Sequence, residues 1–254
     1  MDNSGHAAEL GVGAGRTTSS NTGSGGGHGG QGGGPSPNFG GAAYDSIYTP
    51  TQLGSGGGNA GTVKGGPGGG YLHWKVGKLL ELNGILRASG GNALGPNAGG
   101  GSGGSILIET TNITGHGEIN VRGGLGGSGS GYGGAGGRIA VKCRWRYQYG
   151  GKFINAGGLG GSSSLLLAAA AGTTYKEENM RPPQYRELKY NPSKNQTYLK
   201  VDHTYIHADN EGNDVPPATV IMEENTFYYE FDEAELTGYA RLIFYHPDSE
   251  MHKA

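Results

Sequence analysis

Along the first two-thirds of the chain, apolar residues arrive in short alternating bursts separated by runs of glycine. LHWKV at 72–76, ILIET at 106–110 and IAVKC at 139–143 alternate aliphatic, β-branched or aromatic side chains with others, the period-two pattern of a strand. A shorter burst follows each of them: ILRA at 85–88, INV at 119–121 and FIN at 153–155. No segment in this region has a helical period.

The bursts repeat. Residues 72–91 align without gaps on 105–124, and residues 138–158 fit the same template with one added residue. Each copy closes on a glycine pair, Gly90-Gly91, Gly123-Gly124 and Gly157-Gly158, spaced 33 to 34 residues apart. A unit of two short strands cannot bury its apolar face alone, so consecutive units must stack. The pattern predicts an all-β fold, a parallel β-solenoid of about 33–34 residues per repeat, with inward Ile, Leu and Val of one coil over those of the next. Right-handed crossover is the default for such connections.

Composition sharpens this picture. The 254 residues include 56 glycines and only 33% hydrophobic residues, too few for an ordinary globular core of this length. All glycines but Gly172, Gly212 and Gly238 precede residue 164. Because glycine weakens ordinary strands, its recurrence in register with them points to close backbone approach. The glycine runs are therefore expected as extended, polyproline-II-like connectors lying side by side. The segment 43–53, with its aromatic residues and Pro50, reads as a lateral loop covering the solenoid.

Beyond residue 164 the texture becomes that of ordinary amphipathic strands. Gly172 to Tyr175 continues the solenoid pattern, and 198–206, 219–222, 226–231 and 240–245 read as further strands between turns. Two regions follow: 1–163, glycine-rich solenoid repeats, and 164–254, an aromatic and acidic β region of further coils or a capping subdomain.

Charge excludes some function classes. The net charge of -2 divides into 11 basic and 6 acidic residues before residue 164 and 8 and 15 after it, and neither part has the dense basic patch of a nucleic-acid binder. Lys142, Arg144 and Arg146 alternate with Cys143 and Trp145, as expected for the solvated face of a strand. No run of 18 apolar residues exists, so membrane insertion is not expected. Residues 1–20 lack the pattern of a signal peptide, fitting a cytosolic protein or a piece of a longer precursor. The single cysteine, Cys143, allows neither an internal disulfide nor a multi-cysteine zinc site.

Candidate chemistry is sparse. The glycine runs contain no Asp or Glu to hold calcium as in calcium-binding repeat solenoids. Gly77-Lys78 precedes Leu79 and Gly151-Lys152 precedes Phe153, where a phosphate loop needs Ser or Thr. Glu81, Glu109 and Glu118 are the acids of the strand units, and Glu81 and Glu109 occupy different repeat positions, so they do not form a stacked acid pair. His203 and His207 share a strand face near Asp202 and Asp209, a spacing open to metal binding but more simply read as surface histidines. The rings at Phe227, Tyr228, Tyr229, Phe231, Tyr239, Phe244 and Tyr245 suit core packing or a sugar-stacking platform. Asn112 and Asn195 open N-glycosylation sequons.

The succession GGGHGGQGG at 25–33, GGGSGGSILI at 99–108, GGAGGRIAV at 133–141 and AGTTY at 171–175 resembles glycine-rich repeat modules of large secreted or cell-surface eukaryotic proteins, over roughly residues 11–200. The resemblance implies a parallel β-helix-like extracellular region with no assigned catalytic residue. The expectation is a non-enzymatic structural or adhesive scaffold without catalytic, cofactor or metal residues. Its partners are neighbouring domains or a second copy, and the competing reading is a glycan-binding or polysaccharide-active module on the same fold.

Overall fold

A computed structural model describes residues 4–36, 39–161, 167–178, 196–202, 218–221, 229, 231–237 and 242–244. Among them there is no α-helix. Each repeat contributes one long and one short strand: β1 (Tyr71–Glu81) with β2 (Ile85–Arg87), β3 (Ser105–Gly115) with β4 (Glu118–Asn120), and β5 (Arg138–Tyr149) with β6 (Lys152–Ile154). β7 (Thr173–Glu178) opens a fourth coil. The long strands stack in parallel as β1-β3-β5-β7 and the short ones as β2-β4-β6, so the chain is the parallel β-solenoid its repeats predict.

The coils meet through columns of apolar side chains. Leu72, Ile106 and Ile139 lie in register, as do Trp74, Ile108 and Val141. Ile106, Ile108, Ile119, Val121, Ile139 and Val141 are fully buried in one cluster between the two sheets. Burying such a side chain contributes about 1.5–3 kcal/mol, so this narrow seam is a substantial core despite the low apolar fraction. The opposite face of the long sheet carries Leu107, Ala140 and Tyr175, covered by Tyr48 and Phe231. Both faces are thus packed, and burial is continuous over Ser105–Ile108 and Arg138–Val141.

One register departs from the ungapped alignment. Tyr71, not Leu72, lies opposite Ser105, and the offset returns to 33 residues only after an irregularity between Val76 and Leu79. A bulge shifts the ladder without leaving a hydrophobic signature, so the alignment misplaced the opening strand by one residue. A second irregularity, opposite Thr110 and Asn112, breaks the alternation in β5: Arg144, Trp145 and Arg146 are all exposed, whereas Lys142 is half-buried. Trp145 therefore joins the solvated face instead of pointing inward.

The glycine runs are ordered, and residues 99–104 show how. Their amides bond three neighbouring segments in strict rotation: Gly99 to Gly58 O (2.9 Å), Gly100 to Tyr132 O (2.8 Å), Gly101 to Gly91 O (3.0 Å), then Ser102 to Ser55 O (2.9 Å), Gly103 to Ala135 O (2.8 Å) and Gly104 to Ala88 O (2.8 Å). A period of three is that of a polyproline-II helix. The Cα faces meet three more segments, since added Cβ atoms would collide with Ser24, Gly124 or Val121, and Pro67 or Gly70. This connector is caged by six neighbouring segments whose backbones leave no room for a methyl group on its glycines. The serines embedded in these runs, Ser24, Ser55 and Ser102, are fully buried and also bonded: Ser24 Oγ accepts from Arg16 N, and Ser102 Oγ from Ser55 N.

Beyond the fourth coil the regular winding ends. β8 (Gln196–Asp202) runs antiparallel to β7, β10 (Glu233–Thr237) lies parallel to β8, and β9 (Thr219–Ile221) pairs in parallel with β11 (Leu242–Phe244). The long sheet thereby holds strands from both sides of residue 164 and ends in β10. β10, in EAELT, had no strand signal in the sequence. The strand expected at 226–231 falls largely outside the described residues.

Candidate functional site

Three features of the solenoid combine unusual chemistry with position: a buried polar latch, an aromatic groove around Lys176, and an open first coil.

The latch fastens the lateral loop to the glycine bundle. His28 sits in the run at 25–33 with no exposed surface; its Nδ1 lies 2.8 Å from Gly103 O and its Nε2 3.2 Å from Asp45 Oδ2. Asp45 adopts φ 72° and gathers the amides of Ser46, Thr51 and Gln52, so one carboxylate closes the turn of the loop. Ser105 Oγ is 3.0 Å from Asp45 Oδ2 and 2.7 Å from Gln52 O. Burial resists ionisation of Asp45, but the His28 contact and the Thr51 and Gln52 amides outweigh it and hold its pKa at about 2. Complete burial in turn keeps the His28 pKa below its usual value, against the pull of Asp45.

Ser, His and Asp together invite comparison with a nucleophilic triad, and the geometry refuses it. In a triad the base contacts the carboxylate through one nitrogen and the nucleophile through the other. Here Nδ1 faces a backbone carbonyl, while Nε2 lies between Asp45 and Ser105, the latter at 3.4 Å. His28 and Ser105 are both wholly buried, out of reach of any substrate. The group is a structural pin.

Arg138 completes the latch from β5. Its fully buried guanidinium donates from Nε to Tyr44 O (2.9 Å), from Nη1 to Thr173 Oγ1 (3.2 Å) and from Nη2 to Val220 O (3.1 Å). One side chain thus ties the loop, β7 and β9 together. The planar fork of arginine suits this three-way contact. Sequence reasoning missed the latch, although Asp45 is the single acid between Glu9 and Glu81 and His28, with Gln31, interrupts the glycine run at 25–33.

The groove lies where the short sheet stops at β6 while the long sheet continues. Lys176 Nζ sits 3.9 Å from the Tyr198 ring centroid, 5.5 Å from that of Phe153 and 5.7 Å from that of Tyr147. Burial among these rings lowers its pKa, as does nearby Lys200. A cavity of about 470 Å³ on one side is lined by Tyr149, Lys152, Phe153 and Lys200, and one of about 500 Å³ on the other by Glu178, Asp232 and Glu233. Tyr147, Lys176 and Tyr198 form the wall between them.

At the opposite end, among the described residues, the first coil is open. β1 and β2 are terminal strands of their sheets, and β1 is largely exposed where β3 and β5 are buried. Trp74, Leu79 and Ile85 are exposed on this coil, with Leu94 just beyond it.

The residues singled out from sequence are scattered. Asn112 lies within β3, half-buried, with Nδ2 donating to Lys78 O at 3.1 Å. Asn195, His203, His207 and Asp209 lie outside the described residues. Glu109 pairs with His73 at 2.8 Å and Lys75 at 3.6 Å, Glu118 accepts from Asn120, and Glu81 accepts from Asn83. These acids are not brought together. Among the described residues no three potential metal-ligating side chains cluster. No described helix is long and apolar enough to cross a membrane.

Fold and site together define a parallel β-solenoid braced by a polyproline-II glycine bundle. In comparison with known proteins, no family model, curated protein or solved structure matches the chain.

Proposed function

We propose that the chain is a non-catalytic structural and adhesive module of a secreted or cell-surface protein, one that spaces neighbouring domains and associates with itself. The observation that carries this reading is the bracing of the solenoid: glycine connectors bonded and packed backbone to backbone, with 99–104 caged on six sides, make a stiff body, while among the described residues its first coil ends in an open edge. Stiffness suits a spacer, and an unpaired edge carrying exposed apolar side chains is a site of strand addition. The resemblance of its glycine motifs to extracellular repeat modules supports the same location. Light scattering over a concentration series tests it, with reversible association expected. A monomer at every concentration, or turnover of a polysaccharide from a broad panel, would overturn it.

The Lys176 groove supports a second reading, a glycan-binding module. Aromatic walls offer stacking faces for sugar rings, and Lys152, Lys176 and Lys200 offer charge to acidic ones. A glycan array decides between them: retention of acidic oligosaccharides, lost in Tyr198→Ala, favours the groove, and uniform silence favours the scaffold alone.

A further inference from the structure

A glycine precedes each short strand, and these three form a ladder that explains what the open coil is shaped to receive. A Cβ on Gly151 would be driven into the Tyr149 ring and Gly117 O, and a Cβ on Gly117 into Gly84 O. Each glycine is required because the carbonyl of the preceding coil occupies its Cα face. At Gly84, the same position in the first coil, an added Cβ would meet nothing within 4 Å. Nearby Gly77 is equally unobstructed. Bare Cα faces are thus presented at the open end, with a seat for another backbone that none of the described residues fills.

Residues 4–36 and 39–70 cannot supply that backbone. They lie against the glycine bundle, bonded for example from Gly5 N to Gly68 O and from Gly54 N to Gly69 O, and contain no strand. The far end of the long sheet is also unsuited to a head-to-tail stack, because β8 reverses direction and the sheet ends in β10.

We propose that the open face of β1 and β2 binds a second copy of this chain, head to head, with β1 antiparallel to its own counterpart about Val76. This rests on the self-association reading above and assigns it an interface. Antiparallel pairing about Val76 sets Leu72 opposite Leu80, Trp74 opposite Lys78, Lys75 opposite Gly77 and Tyr71 opposite Glu81. No like charges meet, one cation faces an indole, and the core-facing Leu72, Val76 and Leu80 continue the apolar seam across the junction. The two-fold arrangement closes the assembly at a dimer, because the same edge is used by both partners.

Sedimentation equilibrium on the whole chain tests this with three variants. Gly84→Ala adds a methyl group that the isolated chain accommodates, so it is expected to raise the dimer dissociation constant at least tenfold while leaving the circular dichroism unchanged. Trp74→Glu with Leu79→Glu alters two side chains already exposed and is expected to give a monomer. Val76→Cys is expected to form a covalent dimer on mild oxidation, whereas Cys143 is buried in the core. If the chain associates but all three variants behave as the parent, the β1 interface is wrong and self-association stands. If the parent is monomeric throughout, both fall.

Discussion

Asp45 and His28, 3.2 Å apart and both nearly inaccessible, join the lateral loop to a glycine run through a contact that spans 17 residues of sequence. The pair has a direct consequence for acid stability. The Asp45 carboxyl has a pKa of about 2 in the folded chain against an ordinary value of 3.8. Its depressed pKa means that the unfolded chain takes up the proton first as acid is added. The contribution is therefore complete above pH 4 and is lost as pH falls through 2, an effect of about 2 kcal/mol. Urea unfolding at pH 5 and at pH 2.5 measures it, and Asp45→Asn should remove this part of the slope.

Arg138 offers a sharper test of the latch. Arg138→Lys keeps the charge but cannot span Tyr44 O, Thr173 Oγ1 and Val220 O at once. The expected loss is about 3 kcal/mol, the cost of leaving buried partners unmatched. Hydrogen exchange should show faster amides in β9 and in the loop, and wild-type protection there would contradict the role.

The glycine ladder predicts opposite signs for one substitution at two equivalent positions. Gly117→Ala drives a methyl group into Gly84 O and should cost about 3 kcal/mol or more, since backbone cannot yield as a side chain does. Gly84→Ala has free space and no positive φ, and by restricting the unfolded chain it should stabilise the monomer by about 0.4–1 kcal/mol. Thermal melts of dilute protein compare the two.

Cys143 should be chemically silent. It lies in the inter-sheet core with Sγ donating to Thr111 O, and burial raises its pKa. A thiol-reactive dye at pH 8 should label it only after denaturant is added, because the thiolate is the reactive form. Rapid labelling of the native chain would mean that the seam opens.

The coils were legible because their physics is local and repeated: alternation marked β3 and β5, and the spacing of the glycine pairs set the period. The register of β1 was not, since the bulge between Val76 and Leu79 adds a residue without altering the hydrophobic pattern. The latch was invisible for another reason. His28, Asp45, Ser105 and Arg138 span 110 positions of sequence and converge only after the bundle has formed. β10 was missed because EAELT carries few apolar residues, and its place is set by pairing with β8. The Lys176 groove likewise depends on β8 turning back along β7, which no local pattern announces.

A core built of main chain has a thermal consequence. Unfolding the caged glycine segments exposes peptide groups far more than hydrocarbon, and hydrating polar surface lowers heat capacity where hydrating apolar surface raises it. The increment on melting should therefore fall below the usual figure of about 12–15 cal/mol/K per residue. Free energy of folding would then curve gently with temperature, leaving the solenoid folded over a wide range and pushing cold denaturation far below freezing.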